Sequence, residues 1–151
     1  MKRIVEKLAW SGQEYTLEWI PDDGSGLVKY SPVTQAYGVC INSDNTSVVV
    51  SEDEGGNWTL PGGSVEPGET LVETLIREVD EEADMTIRDI RLLGLQKSTS
   101  EGKTIYQARF ACRVDEIKEQ TIDPAKGKIL VRKFVPVLRL NDYLKWKRIG
   151  D

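Results

Sequence analysis

The chain contains no histidine at all. That removes the Ser-His-Asp and Cys-His nucleophile systems and the usual zinc sites. An enzyme built from this sequence must work with carboxylates, a hard metal ion, and lysine or tyrosine. Cysteine is scarce. Cys40 and Cys112 each sit among apolar neighbours ("YGVCI", "RFACRV") and read as two reduced core residues, not a disulfide or a metal pair. No apolar run approaches the roughly 18–20 residues of a membrane span. The N-terminus, "MKRIVEKLAW", is interrupted by charge and lacks a signal-peptide core, so the expectation is a cytoplasmic protein. Positive charge is outnumbered, with 20 Lys and Arg against 25 Asp and Glu and a net charge of −5. This argues against binding to long nucleic acids or to an anionic membrane. It leaves room for a small phosphorylated substrate, because a bound cation can bridge acid to phosphate.

What is present fits one globular domain over residues 1–151, with 39% apolar and 30% charged residues. "MKRIVEKLAW" and "YTLEWI" flank "SGQE", which predicts an N-terminal β-hairpin within residues 1–30. "AYGVCI" and "TSVVVS" are strand-like runs around the turn "NSDN". "WTLPGGSVEPGET" reads as a shaped loop, followed by a helix from about residue 71 to 83. "IRLLGLQKS" and "TIYQARFACRV" form a second long hairpin around "TSEGK". "DEIKEQTIDPAKGK" is a charged loop and "ILVRKFVPV" another strand. "NDYLKWKRI" is a short helix, with Asn141 or Asp142 as its cap. This order predicts an α+β layered fold, a mixed sheet covered by helices.

The central helix carries an unusual load of acid. "LIREVDEEADM" holds Glu78, Asp80, Glu81, Glu82 and Asp84 with one cation, Arg77. Thr70 and Glu73 match a capping box that starts the helix. With Leu71 at zero, helical geometry sets Leu75 at roughly 40°, Val79 at 80°, Val72 at 100°, Ala83 at 120° and Ile76 at 140°. These six define one apolar stripe, the face expected to pack on the sheet. By the same rule Glu82 falls at about 20°, inside the stripe, Glu78 at about 340°, at its edge, and Glu81 at about 280°. Arg77 falls at about 240°, facing outward between Glu73 and Glu81. Asp80 reads as plain solvated surface.

A merely solvating acidic face would lie opposite the stripe, whereas Glu78 and Glu82 flank and enter it. Burying a carboxylate is costly unless something compensates it. Two carboxylates four residues apart can both reach one ion, and oxygen ligands of this kind suit Mg²⁺ or Mn²⁺. Gly62 and Gly63, just before the helix, permit close backbone approach to a ligand and leave carbonyls free to bind a cation.

From Gly63 to Met85 the chain resembles the Nudix box, G-x5-E-x7-R-E-U-x-E-E-x-G-U with U apolar. Gly63, Glu69, Arg77, Glu78, Glu81 and Glu82 occupy its fixed positions. Six such letters arise by chance at about 10⁻⁶ to 10⁻⁷ per register, so the box is a specific signal. The resemblance is tight over residues 58–85 and loose over residues 33–147.

The resemblance implies a Nudix α/β/α sandwich around a mixed β-sheet, with residues 1–30 as an N-terminal β-hairpin extension and residues 58–85 as the loop–helix–loop. It implies hydrolysis of a nucleoside diphosphate linked to another group, dependent on Mg²⁺ or Mn²⁺. Glu78, Glu81 and Glu82 would be catalytic and metal-binding residues, with the Gly63 carbonyl a further ligand. Glu69 and Arg77 would form the structural salt bridge of the box. By the same resemblance water would attack phosphorus, a bound metal would supply water activation and neutralise the pyrophosphate, and Glu78 or Glu81 would accept the proton.

Two positions depart from the pattern. The final glycine of the box is Asp84, and a position that often carries glutamate at the start of the last long strand is Lys128. An extra acid would then come from Glu116, Glu119 or Asp123. Tyr37, Trp58 and Tyr106 are candidates either for stacking on a base or for packing in the core. The expected partner is a small nucleotide-type substrate, and the N-terminal hairpin offers a surface for a homodimer. The alternative to an enzyme is a non-catalytic Nudix-like sensor or interaction module that binds a nucleotide.

Overall fold

The computed structural model describes residues 4–10, 13–21, 33–51, 57–124, 127 and 129–144, with side chains described from residue 18 onward except that of Asn141. Its strands are β1 (Ile4–Trp10), β2 (Gln13–Pro21), β3 (Val33–Ile41), β4 (Thr46–Ser51), β5 (Gly62–Ser64), β6 (Met85–Ser100), β7 (Lys103–Ile117) and β8 (Val131–Pro136). Helix α1 spans Leu71–Ala83. A 3₁₀ turn over Val137–Arg139 leads into α2, Leu140–Leu144.

The strands form one sheet in the order β1-β2-β6-β7-β3-β4-β8. β3 and β7 run parallel, with Tyr37 opposite Arg109 and Cys40 opposite Cys112. The other pairings are antiparallel, so the sheet is mixed. β1 and β2 form the hairpin that extends the sheet at one edge. β5 pairs with β3 over Gln35–Tyr37, and β4 meets β3 only at Ile41.

Alternation along the strands sorts the apolar residues onto two faces. Ala36, Cys40, Val48, Val50, Leu95, Ala108, Phe110 and Cys112 face α1 and pack on Leu75, Val79 and Ala83. Val49, Leu60 and Val135 pack with Leu140 and Leu144 of α2, joined by Tyr37, Val39 and Trp58. Two cores on opposite faces of one sheet, each covered by a helix, make an α/β/α sandwich. Cys40 and Cys112 are free and buried, Sγ to Sγ 3.4 Å. Cys112 Sγ donates to Cys40 Sγ, and that bond together with burial pushes the Cys40 thiol well up; both cysteines are packing residues of the core.

Several expected boundaries move. The glycine-rich loop contains β5, because Gly62 and Gly63 find free backbone partners on β3. β7 runs on to Ile117, so the charged loop starts later than its composition suggests. Asn141 and Asp142 lie inside α2 rather than before it, because the preceding 3₁₀ turn starts the coil at Val137. Lys128 lies outside the described residues.

Candidate active site

Local chemistry sets the two ends of α1. At its start the Thr70 hydroxyl accepts the Glu73 amide (3.1 Å) and the Glu73 carboxylate accepts the Thr70 amide (3.0 Å). This is a closed capping box. At its end Asp84 takes the left-handed conformation, φ 54° and ψ 49°.

The helix buries Leu75, Val79 and Ala83 of the expected stripe, and Glu82 within it, but one edge of the stripe stays exposed and Thr74 is buried instead. Val72 and Ile76 are 39% and 45% exposed, whereas Thr74 and Glu82 are 0% and 7% exposed. The buried face is turned toward the carboxylates. The reason is the loop that precedes the helix: it covers this side and supplies polar partners there. The Thr74 hydroxyl donates to Glu69 Oε1 (2.9 Å) and to the Thr70 carbonyl (3.0 Å). The Gly62 amide donates to Glu82 Oε1 (2.8 Å). Glu82 thus ties strand β5 to the helix twenty residues later.

Gly62 and Gly63 admit no side chain. A β-carbon on Gly62 would stand 2.6 Å from the Tyr37 Cα, and one on Gly63 would stand 2.6 Å from Glu78 Oε1. The Glu78 carboxylate therefore fills the space that a side chain at Gly63 would take.

Arg77 does not face outward. It turns back along the helix to the loop and gathers four carboxylates. Its Nε donates to Glu69 Oε2 (2.7 Å) and its Nη2 to Glu69 Oε1 and the Ser64 carbonyl (both 3.1 Å). Its Nη1 donates to Glu78 Oε1 (3.0 Å) and Glu81 Oε2 (3.2 Å), and Glu66 lies 3.6 Å away. The bidentate Arg77–Glu69 pair fixes the loop on the helix. Glu73, expected beside Arg77, is spent on the capping box. Asp80, expected bare, pairs with Lys118.

Charge follows geometry. Arg77 above all, then the Glu66 amide, holds the Glu69 carboxyl down at about 2. Glu69 and Glu78 in turn hold the Arg77 proton more tightly. Burial pushes the Glu78 carboxyl above its ordinary range against the pull of Arg77, and the charges of Glu81 and Asp123 push the same way. Asp123 is 2% exposed, whereas Glu116 and Glu119 are exposed. Of the three acids outside the box, only Asp123 is buried and acts on Glu78.

The donor set that the box implies, Glu78, Glu81, Glu82 and the Gly63 carbonyl, would be all hard oxygen, the chemistry that suits Mg²⁺ or Mn²⁺. The fit is supported by the cradle at Gly63, where a Cβ would displace Glu78. Three of these acids also crowd the C-terminal half of α1, where the helix dipole favours cations and the last turn supplies no basic residue. Among the described residues no three acidic side chains are placed to hold one metal ion as they stand. Arg77 Nη1 stands between Glu78 and Glu81, so both must leave it to share an ion. A cleft of about 390 Å³ opens beside Glu81, lined also by Asp80, Asp84, Lys118 and Thr121.

Tyr37 and Trp58 pack against the core under α2, and Tyr106 packs against the core under α1. Lys133 Nζ lies 5.7 Å over the Trp58 ring. Sequence reasoning missed a polar row beside Tyr37. Arg109 stacks 4.7 Å over the Tyr37 ring and donates to Gln96 (3.2 Å) and Gln107 (3.0 Å), and Gln107 donates to Gln35. Burial pushes the Arg109 guanidinium down to about 10. The signal was the pair of patterns Gln-x-Tyr on β3 and Gln-x-Arg on β7, legible only once the two strands are known to lie in parallel register.

The NUDIX domain family model matches residues 32–149. Over 42 residues the chain is 48% identical to 8-oxo-dGDP phosphatase NUDT18 of Mus musculus, covering 28% of this chain and 13% of that protein. Over 141 residues it is 30% identical to Nudix hydrolase 6 of Arabidopsis thaliana, covering 83% of this chain and 47% of that protein. The chain spans a fifth or less of the length of the first curated relatives it matches. Its fold is that of the Bacillus subtilis pyrophosphohydrolase BsRppH, with a TM-score of 0.66 at 22% identity over 85% of this chain and 77% of that one. With the family model matching over most of its length, the chain belongs to the NUDIX domain family.

Proposed function

We propose that this protein hydrolyses a pyrophosphate bond in a nucleoside diphosphate linked to another moiety, by attack of water on phosphorus, with Mg²⁺ or Mn²⁺ as cofactor. The observation that carries the reading is the Glu78 carboxylate lodged against Gly63, largely shielded from solvent and bridged to Glu81 by Arg77. Glu78, Glu81, Glu82 and the Gly63 carbonyl would hold the ion. The ion would supply charge neutralisation at the pyrophosphate and activate water. Glu82, anchored by the Gly62 amide, keeps the loop closed on the helix. Glu78, whose affinity for a proton is raised by burial, or Glu81 takes the proton from the attacking water. The cleft beside Glu81, with the Lys118 ammonium at its rim, would admit the phosphate chain.

The test is a panel of 8-oxo-dGDP, 8-oxo-dGTP, canonical nucleoside triphosphates, ADP-ribose, nucleotide sugars, diadenosine polyphosphates and capped RNA, with and without Mg²⁺ or Mn²⁺. Metal-dependent release that disappears in Glu82→Gln supports the reading. Tight binding without turnover across the panel overturns it in favour of a nucleotide-binding module. One observation favours that second reading: Arg77 already occupies Glu78 and Glu81. We also propose a homodimer through β1, the edge strand of the sheet. A monomeric mass in solution at micromolar concentration would overturn it.

A further inference from the structure

The family's box ends in glycine, and this chain has Asp84 there. Asp84 adopts the left-handed conformation that glycine supplies without a steric penalty, and it does so at the negative pole of the helix dipole. Both features disfavour an aspartate. Its side chain is nonetheless buried and fully used. Oδ2 accepts the Thr121 amide (2.9 Å) and Oδ1 accepts the Thr121 hydroxyl (2.7 Å). Its carbonyl accepts the Lys118 amide (2.8 Å). Arg132 reinforces the same seam, donating from Nη1 to the Ala83 carbonyl (2.7 Å) and the Lys118 carbonyl (3.0 Å). Residues 118–121 are thereby sewn to the last turn of α1. Asp84, Lys118 and Thr121 also line the cleft that opens beside Glu81.

We propose that Asp84 is a positioning residue: its paired hydrogen bonds to Thr121 fix residues 118–121 against α1 and so hold in place one wall of the cleft beside Glu81. A glycine at this position has no atoms with which to make the clamp. This inference rests on the hydrolase reading for its kinetic consequence, though not for the clamp itself.

The variant Asp84→Gly isolates the effect. It relieves the left-handed backbone, so the helix end survives, and it deletes both bonds to Thr121. Exchange of the Thr121 amide hydrogen should accelerate at least about tenfold while the α1 amides keep their protection. The thermal midpoint should hold or rise. kcat should fall about tenfold, the range typical of lost outer partners of a site. Asp84→Asn should recover most of that loss, since its amide can accept from the Thr121 N–H and donate to the Thr121 hydroxyl. Thr121→Val, which removes the hydroxyl half of the clamp, should lower kcat in the wild-type background and add little in the Asp84→Gly background, the signature of two residues acting through one another. Wild-type exchange at Thr121 in Asp84→Gly overturns the clamp. Faster exchange with unchanged kcat overturns its role in positioning the cleft wall. A wild-type protein that turns over none of the panel overturns the hydrolase reading instead, and the exchange experiment still judges the clamp.

Discussion

The carboxylate of Glu78 lies against the α-carbon of Gly63, so close that a β-carbon there would stand 2.6 Å from Oε1. Gly63→Ala should therefore push Glu78 aside. The displaced group is the end of a flexible side chain, so the stability cost should stay at or below about 1–3 kcal/mol. A shift of about 1 Å at a reacting centre can cost about a hundredfold in rate. Turnover should fall on that order while the urea midpoint moves little. Undiminished kcat/KM would mean that the position of Glu78 is immaterial.

Gly62→Ala should act differently. Its β-carbon would meet backbone, 2.6 Å from the Tyr37 Cα and nearer still to the Ala36 carbonyl oxygen. Backbone cannot step aside as a carboxylate can. This variant should lose at least about 1–3 kcal/mol of stability and loosen the β5–β3 pairing. Chemical denaturation tests it, and a midpoint equal to that of Gly63→Ala would count against the argument.

Glu82 separates charge from architecture. Glu82→Gln keeps an oxygen for the Gly62 amide, so its fold should match the wild type. Glu82→Ala leaves that buried amide without its acceptor and should cost about 1–3 kcal/mol. Equal unfolding midpoints for the two variants would show that the Gly62 bond contributes nothing.

The Arg77–Glu69 pair makes stability depend on acidity. The Glu69 carboxyl sits at about 2 in the fold against an ordinary 4.5. Because the folded value is the lower one, the pair's stabilisation is fully present above pH 4.5 and is lost as pH falls toward 2. The stability gap between wild type and Glu69→Gln should thus be largest near neutrality and close over that window. Urea midpoints at stepped pH measure it, and a gap that stays constant would refute the linkage.

Local signals in the sequence determined local structure. Thr70 and Glu73 placed the start of α1, and the turn residue Asp84 placed its end, because caps and helical bonds involve neighbours within four residues. Period-two alternation marked most strands, and the spacing of the box marked the family. Which groups meet across the chain was decided only by the tertiary structure. Val72 and Ile76 are as apolar as Leu75, yet they face solvent because the loop over residues 60–70 covers the other side of the helix. Arg77 turns inward because that loop delivers Glu69 and the Ser64 carbonyl to it. Glu82 meets Gly62 through the β5–β3 pairing, and Asp84 meets Thr121 at the exit of β7. Residue type and helical phase set where a side chain can point, and a partner twenty or thirty-seven residues away sets where it is held.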